Sequence, residues 1–280
     1  MFSTEKEEKK GFSAFKEKEK LFKYYSGKQT DFSQCLDLES LDKEPKIEKF
    51  KVIHPRTGKT IQGFKFPEPS GLIVLKKYTE PKLQLELSRK AINEYIRKPH
   101  RTNLYIYQKT NPAKEPLSEK DTQYTPTAAN TTPPDTQSYN KQQFIASDPS
   151  RYHFNTKIRW SNMGRQYDWS ARNYMASESP ITPELIEITK EVIDMLDLGN
   201  YRAEALLINY YGERNFMGGH LDDAEPDQQH PIVSFSFGLS CVFLIGGRTK
   251  NVDPYAVRLD SGDVMVMSED SRCCFHGSLM

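Results

Sequence analysis

The chain of 280 residues is long enough for one large domain, or for a domain with extensions. Its 39 Lys and Arg residues nearly balance its 38 Asp and Glu residues, which excludes a global electrostatic attraction to nucleic acid, so any such binding requires a local basic patch. Hydrophobic residues make up 36% of the chain, a low fraction for a wholly packed protein, so we expect part of it to be disordered.

The cysteines and the hydropathy of the chain indicate the cellular compartment in which the protein resides. The four cysteines show no CxxC spacing, and two of them, Cys273 and Cys274, are adjacent, which favours a reducing compartment over a disulfide scaffold. No apolar run approaches the roughly 20 residues that cross a bilayer, and the N-terminus has no apolar signal core. The sequence therefore predicts an intracellular protein that does not bind membranes.

Residues 1–50 form a charged N-terminal extension in which we predict one helix. Lysines outnumber glutamates over residues 1–30, and aromatic residues recur there at intervals typical of one helix face that ends near Gly27. These aromatic residues are Phe12, Phe15, Phe22 and Tyr25. We favour a solvated helix that packs on the domain through this aromatic face. A nucleic-acid-binding or targeting role for the lysines is the alternative, although the glutamates argue against a transit peptide.

Residues 51–110 are predicted to form the N-terminal part of the domain. An apolar run over residues 71–78 indicates a strand, and Pro81 opens a helix whose apolar residues recur at four-residue spacing up to Tyr95. Residues 111–150 hold six prolines, many polar residues and few aliphatic side chains. Such a segment buries too little apolar area to offset its ordering entropy, so we predict a flexible polar insertion.

We predict ordered structure again from about residue 158, where aromatic residues lie beside arginines. Trp160, Tyr167 and Trp169 suit a platform on which bases stack while the arginines contact phosphates. The alternative is that they are half-buried core aromatics, which are common. A scaffold helix follows, with Thr182 at its cap and Pro183 at its first position.

Short β-branched and aromatic runs dominate the rest of the chain and are separated by Gly, Pro, Asp and Ser. This pattern predicts a compact antiparallel sheet. The predicted strands cover residues 206–211, 232–237, 241–245, 255–259 and 264–267.

Three residues in this region have the chemistry of a metal site. Residues i and i+2 of an extended chain point to the same side, so His220 and Asp222 can reach one point, and His276 adds a second imidazole. Two imidazoles and one carboxylate with three open positions are the facial arrangement of non-haem Fe(II) oxygenases, whereas structural zinc sites favour a closed tetrahedron. A His-x-Asp pair alone is a weak motif, and the alternative is a chance pair with an ordinary near-terminal histidine.

Several motifs in order make the sequence resemble the AlkB family of Fe(II)- and 2-oxoglutarate-dependent nucleic-acid dioxygenases, and within it the branch of the first animal AlkB homologue. The resemblance covers about residues 155 to 276. The motifs are Asn209-Tyr210-Tyr211, His220-Leu221-Asp222, Ser234-Phe235-Ser236-Phe237-Gly238, Phe243-Leu244-Ile245-Gly246-Gly247, Ser261-Gly262-Asp263-Val264-Met265-Val266-Met267-Ser268 and Ser271-Arg272.

The resemblance implies a mainly β fold with flanking helices (α+β), whose core is a double-stranded β-helix or jelly roll, with lid and catalytic core in residues 151–280. It implies Fe(II) on His220, Asp222 and His276, with 2-oxoglutarate as co-substrate and O₂ as oxidant. It also implies that Asn209 and Tyr211 contact 2-oxoglutarate. The lid aromatics, Trp160, Tyr167 and Trp169, would hold the target base.

The implied activity is oxidative demethylation of methylated bases in DNA or RNA, tRNA included, by a monomer acting in DNA repair or RNA modification. The base would be single-stranded or flipped, and the nucleus, the mitochondrion and the cytoplasm are all compatible compartments. One alternative is a catalytically silent form that binds nucleic acid or protein. Another is a demethylase of a protein substrate.

The chain departs from the family at its C-terminal end. Family members anchor the distal carboxylate of 2-oxoglutarate with arginines on the strand after the second iron histidine, because arginine pairs with carboxylates in a bidentate manner. The sequence ends at Met280, four residues after His276. We therefore expect a C-terminally truncated chain whose jelly roll lacks its last strand.

Overall fold

The computed structural model describes residues 13–23, 30–39, 46–103, 158–168, 173–212 and 215–279. The predicted insertion at residues 111–150 and the lid residue Trp169 lie outside the described residues. By compactness the chain divides into two units. The first comprises residues 1–88, 182–203 and 213–280, and the second comprises residues 89–181 and 204–212.

Three α-helices occur in the described part of the chain, and none is long and apolar enough to cross a membrane. They are α1 Ala14–Phe22, α2 Pro81–Asn93 and α3 Pro183–Met195. The strands are β1 Glu48–Ile53, β2 Thr60–Lys65, β3 Leu72–Leu75, β4 Arg101–Thr102, β5 Trp160–Asp168, β6 Asn173–Ser179, β7 Ala205–Asn209, β8 Met217–His220, β9 Ile232–Phe235, β10 Cys241–Ile245, β11 Tyr255–Leu259, β12 Val264–Met267 and β13 His276–Leu279. The described residues also form two 3-10 helices, Phe32–Gln34 and Ser271–Cys273.

The first unit is built on two antiparallel sheets, with strand orders β1-β2-β3-β12-β9 and β11-β10-β13-β8. One core cluster joins side chains from both sheets, for example Val74 and Met265 of the first with Phe243 and Val257 of the second. The two sheets therefore pack face to face, which is the jelly-roll arrangement that the sequence predicts.

A helix covers the outer face of each sheet. In β12, Met265 and Met267 face the core between the sheets, while Val264 and Val266 pack with Val192 of α3. In β10, the alternate residues Val242 and Leu244 pack with Phe15 and Phe22 of α1. Strands buried on both faces have continuous apolar sequences, and for this reason the predictions for β10 and β12 agree with the observed bounds. The prediction for β11 also agrees, although the exposed Arg258 interrupts its apolar sequence.

The predicted N-terminal helix is confirmed, and it is shorter than expected. It ends at Phe22 rather than near Gly27, and its buried aromatic residues are Phe15 and Phe22. Ser13 caps it by accepting a hydrogen bond from the Lys16 N–H. The predictions for Phe12 and Tyr25 lie outside the described residues.

The two scaffold helices also form as predicted, from Pro81 and from Pro183. Thr182 occupies the N-cap position of α3 in an extended conformation, but its hydroxyl makes no capping hydrogen bond. Proline at the first helical position lacks the N–H that the helix would leave unpaired, so this start does not depend on the threonine.

The second unit is built on β5, which pairs with β4, β6 and β7. The strand predicted over residues 206–211 forms as β7, but it pairs with β5 and not with the strands that carry the histidines. All five residues of β7 match β5 in antiparallel register, from Trp160 opposite Asn209 to Gly164 opposite Ala205. The expectation of one continuous motif sheet was therefore wrong at this strand.

Candidate metal centre

The two histidines of the predicted triad lie opposite each other on neighbouring strands. His220 ends β8 and His276 begins β13, and the two residues are direct partners in the antiparallel ladder. Their ring centroids lie 4.4 Å apart, and the rings are inclined by 55°. Asp222 lies two residues after His220, the last residue of β8. Side chains two residues apart in an extended chain point to the same side, so the Asp222 carboxylate lies on the side of the two rings.

The three side chains converge on one point. Asp222 Oδ1 lies 3.5 Å from His220 Nε2, and Asp222 Oδ2 lies 3.3 Å from His276 Nε2. One possible ligand atom from each residue lies within 4.8 Å of the others. Nearby acidic groups are common without a metal, but here both imidazole nitrogens face the same carboxylate.

Backbone carbonyls orient both imidazoles. His220 Nδ1 lies 3.0 Å from the Gly218 carbonyl oxygen, and His276 Nδ1 lies 3.0 Å from the Cys274 carbonyl oxygen. A carbonyl can only accept a hydrogen bond, so each Nδ1 carries the proton and donates. When the ring is neutral, its Nε2 lone pair therefore faces the centre, which is the arrangement that metal-ligating histidines adopt.

The local electrostatics keep the carboxylate ionised. Burial raises the pKa of Asp222, but when the two imidazoles are protonated their hydrogen bonds and charges outweigh this effect and hold the pKa of Asp222 well below the usual range. For His220, burial lowers the pKa, and the hydrogen bond and charge of Asp222 more than compensate, so the net shift is upward. An ionised carboxylate is the form that binds a cation.

The three side chains differ in their exposure. The His276 side chain is 6% exposed, and its ring stacks on Phe243 at 5.7 Å. The side chains of His220 and Asp222 are 34% and 30% exposed. Two imidazoles and one carboxylate, of which His220 and Asp222 are partly exposed, fit Fe(II) with open coordination positions.

The other predicted site residues belong to the second unit. Asn209 ends β7, and its Oδ1 is buried without a hydrogen-bond partner among the described residues. Tyr211 lies two residues past the strand end, so strand alternation does not place it on the face of Asn209. Trp160 begins β5 and is 9% exposed, which favours its interpretation as a core aromatic. Tyr167 also lies in β5.

Two contacts at the metal centre escaped the sequence analysis. Glu19 of α1 accepts a hydrogen bond of 2.5 Å from the N–H of Gly219, the residue before His220. Arg272 is almost fully buried and donates to the carbonyl oxygen of Asp222 at 2.6 Å. The position of Arg272 four residues before His276 was the available signal, but burial of a charged side chain cannot be read from composition or spacing.

Residues 71–279 match the model of the 2OG-Fe(II) oxygenase superfamily, so the chain belongs to this superfamily. Its relatives place it in the AlkB family, as the sequence motifs predict. The chain is 45% identical over 125 residues to "DNA N(6)-methyladenine demethylase ALKBH1A" of Arabidopsis thaliana, covering 43% of this chain and 36% of the relative. It is 37% identical over 121 residues to "Nucleic acid dioxygenase ALKBH1" of Homo sapiens, covering 43% and 31%.

A third relative matches over a longer stretch. The chain is 28% identical over 271 residues to "tRNA demethylase abh1" of Schizosaccharomyces pombe, and this match covers 94% of the chain and 83% of the relative. By contrast, the matches to the Arabidopsis and human proteins span about a third of the length of those proteins.

Proposed function

We propose that this protein is an Fe(II)- and 2-oxoglutarate-dependent dioxygenase that removes methyl groups from nucleic-acid bases. The observation that carries the proposal is the convergence of His220, Asp222 and His276, with both Nε2 atoms turned toward one carboxylate. The superfamily supports iron and 2-oxoglutarate as the bound groups. Two relatives are named as demethylases of DNA and of tRNA, which supports a methylated nucleic acid as the substrate.

The residues of the centre would hold the metal from one side. When bound, Fe(II) supplies the oxidation of 2-oxoglutarate by O₂ to succinate and CO₂, coupled to hydroxylation of an N-methyl group that then leaves as formaldehyde. The Gly218 and Cys274 carbonyls keep both imidazoles in the ligating tautomer. Asp222 contributes the negative charge, which favours a divalent cation over water. The co-substrate and the base would approach on the side of His220 and Asp222, which are partly exposed.

Contacts to the co-substrate and the base complete the proposal. Asn209 and Tyr211 would bind 2-oxoglutarate, and the buried unpartnered amide of Asn209 supports this role because such a group needs a partner. Tyr167 and Trp169 would contact the base, whereas the burial of Trp160 supports a place in the core for that residue. A base inside a duplex cannot reach the centre, so the substrate would be single-stranded or flipped.

Assays with matched substrates test the function. The purified chain is incubated with Fe(II), 2-oxoglutarate and O₂, together with N6-methyladenine DNA, methylated tRNA fragments or methylated peptides. We expect succinate to form in step with demethylation of an oligonucleotide, as measured by mass spectrometry. His220→Ala should abolish both signals, and His230→Ala should not, because His230 is exposed and pairs with Asp227 instead.

Two outcomes would overturn the proposal. Turnover with the peptides alone would make this chain a protein demethylase. Metal binding without succinate from any substrate would favour a silent binding module.

A further inference from the structure

Arg272 is a charged side chain that the fold buries almost completely. It lies in the 3-10 helix Ser271–Cys273, four residues before His276, and 2% of its surface is exposed. A buried guanidinium is unfavourable unless acceptors surround it. The hydrogen-bond acceptors of the Arg272 guanidinium therefore indicate its role.

Both acceptors lie on the segment that carries the metal carboxylate. Arg272 Nη1 donates to the carbonyl oxygen of Asp222 at 2.6 Å, and Nη2 donates to Glu225 Oε2 at 3.0 Å. This segment, residues 221–231, contains no helix or strand. Regular hydrogen bonding thus does not fix Asp222, whereas it fixes the two histidines on β8 and β13. The planar guanidinium spans two points of the segment at once.

The backbone that presents Arg272 is itself anchored. The Ser271 N–H donates to the carbonyl oxygen of Ser70 at 2.9 Å, and the Ser268 hydroxyl donates to that of Gly71 at 2.9 Å. Gly71 has φ +76°, and a Cβ there would lie 2.3 Å from the Ser268 carbonyl oxygen, so glycine is required for this approach. The 3-10 turn is therefore tied to the residues that lead into β3, and Arg272 extends from a fixed base.

Stability alone is a poor explanation for this arrangement. Replacing a buried ion pair by apolar residues of similar volume is often neutral or stabilising, because the charges lose their hydration on burial. Moreover, Arg272 Nε is buried without a hydrogen-bond partner among the described residues, which adds to the cost. An apolar side chain would fill this space with less penalty, but it would leave the Asp222 segment unheld.

We propose that Arg272 is the positioning residue of the metal centre. By holding the Asp222 carbonyl and the Glu225 carboxylate, it keeps the Asp222 side chain where it meets both histidines. One side chain thereby links the segments that carry the carboxylate and the second histidine. The inference rests on the proposed function, because it assigns Arg272 to the binding of the same metal.

Metal titrations of the full chain test the assignment. Mn(II) is titrated anaerobically into the wild type, Arg272→Met and Arg272→Lys, with the dissociation constant measured by calorimetry and the site geometry by electron paramagnetic resonance. Loss of an outer-shell partner typically weakens metal binding by about 10–100-fold, and we expect Arg272→Met to do so. Arg272→Lys should restore affinity only in part, since a single ammonium cannot span both acceptors. The Mn(II) spectrum should broaden in both variants as the carboxylate moves.

Lys76→Met is the matched control. Lys76 is also a largely buried cation, with an 11% exposed side chain that pairs with Asp260 and Asp263, and it shares neither partner with Arg272. This variant should change thermal stability and leave Mn(II) affinity within about twofold of the wild type. A folded Arg272→Met protein with unchanged Mn(II) affinity would overturn the inference.

A second variant covers a failure of Arg272→Met to fold. Glu225→Gln removes the charge of one acceptor at a partly exposed position and leaves the guanidinium bonded to Asp222. It should remain folded with several-fold weaker Mn(II) binding, and unchanged binding in this variant would then count against the inference. If the wild type itself binds no Mn(II), the proposed function fails first. If the wild type binds and the variants bind equally well, only the role of Arg272 fails.

Discussion

Two backbone carbonyls and one carboxylate account for the chemistry of the centre. The carbonyls of Gly218 and Cys274 fix the tautomers of the histidines, so the pair presents two nitrogen lone pairs without help from other side chains. Asp222 supplies the negative charge. Its contribution should therefore be separable from that of the histidines by substitution.

Removing the carboxylate should abolish tight metal binding. In Asp222→Ala, two neutral imidazoles remain, and Fe(II) and Mn(II) bind weakly to such sites because they stand at the low end of the divalent series. We expect a loss of more than about 100-fold in affinity, since loss of an outer-shell partner alone costs about 10–100-fold. Anaerobic titration of Fe(II) or Mn(II) into both proteins measures this loss of affinity. Asp227→Ala is the control, because Asp227 is exposed on the same segment and pairs with His230. Equal affinity in Asp222→Ala and the wild type would place the metal elsewhere.

The triad could be predicted because ligand type and i,i+2 spacing are visible in the sequence. The strand that carries His220 could not be predicted from the sequence. β8 reads Met217, Gly218, Gly219 and His220, and glycines argue against a strand. The structure gives the reason: a Cβ on Gly219 would lie 2.5 Å from the Phe15 ring, so the close approach of α1 requires glycine there. A tertiary contact of this kind is invisible to periodicity.

The packing of α1 on the sheet gives a stability prediction. Phe15 is fully buried, and it packs against β10 and against Gly219 of β8. Phe15→Ala should lower the free energy of unfolding by about 3–5 kcal/mol, through lost apolar burial and the cavity left behind. Leu21→Ala in the same helix should change it by less than about 0.5 kcal/mol, since Leu21 is 62% exposed. Urea unfolding followed by circular dichroism compares them, and equal losses would show that α1 does not dock through Phe15.

The turn between β11 and β12 gives a pH prediction. Burial raises the pKa of Asp260, but hydrogen bonds from Ser240, Lys76 and Arg258 outweigh it and lower the pKa from 3.8 to about 2. Because the folded-state pKa is depressed, the ionised form stabilises the fold above pH 3.8, and this contribution is lost as the pH falls to about 2. The stability gap between the wild type and Asp260→Asn should therefore narrow over that interval. Urea midpoints at several pH values measure it, and a gap that stays constant would contradict the assignment.

Strand pairing marks the limit of sequence-based prediction for the molecule as a whole. Continuous apolar runs located β10 and β12 because both faces of these strands are buried. The polar edge strand β1, with alternating exposure and three lysine or glutamate residues, lacks such a run and was missed. Periodicity also cannot tell which neighbour a strand takes, so the pairing of β7 with β5 required the structure. The jelly-roll class follows from the motifs, and the partners of each strand follow from tertiary packing.

The metal centre should also stabilise the whole first unit. Its ligands come from β8, β13 and the segment after β8, so the site exists only when these parts are assembled. A ligand that binds the folded state alone stabilises it by about 2.7 kcal/mol at 100 times its dissociation constant. For a domain of 150–250 residues this corresponds to a rise in Tm of roughly 5–10 °C. Calorimetry with Mn(II), then with excess chelator, measures the rise and its reversal. Asp222→Ala should show neither, and an equal rise in that variant would mean that the metal stabilises the protein through other residues.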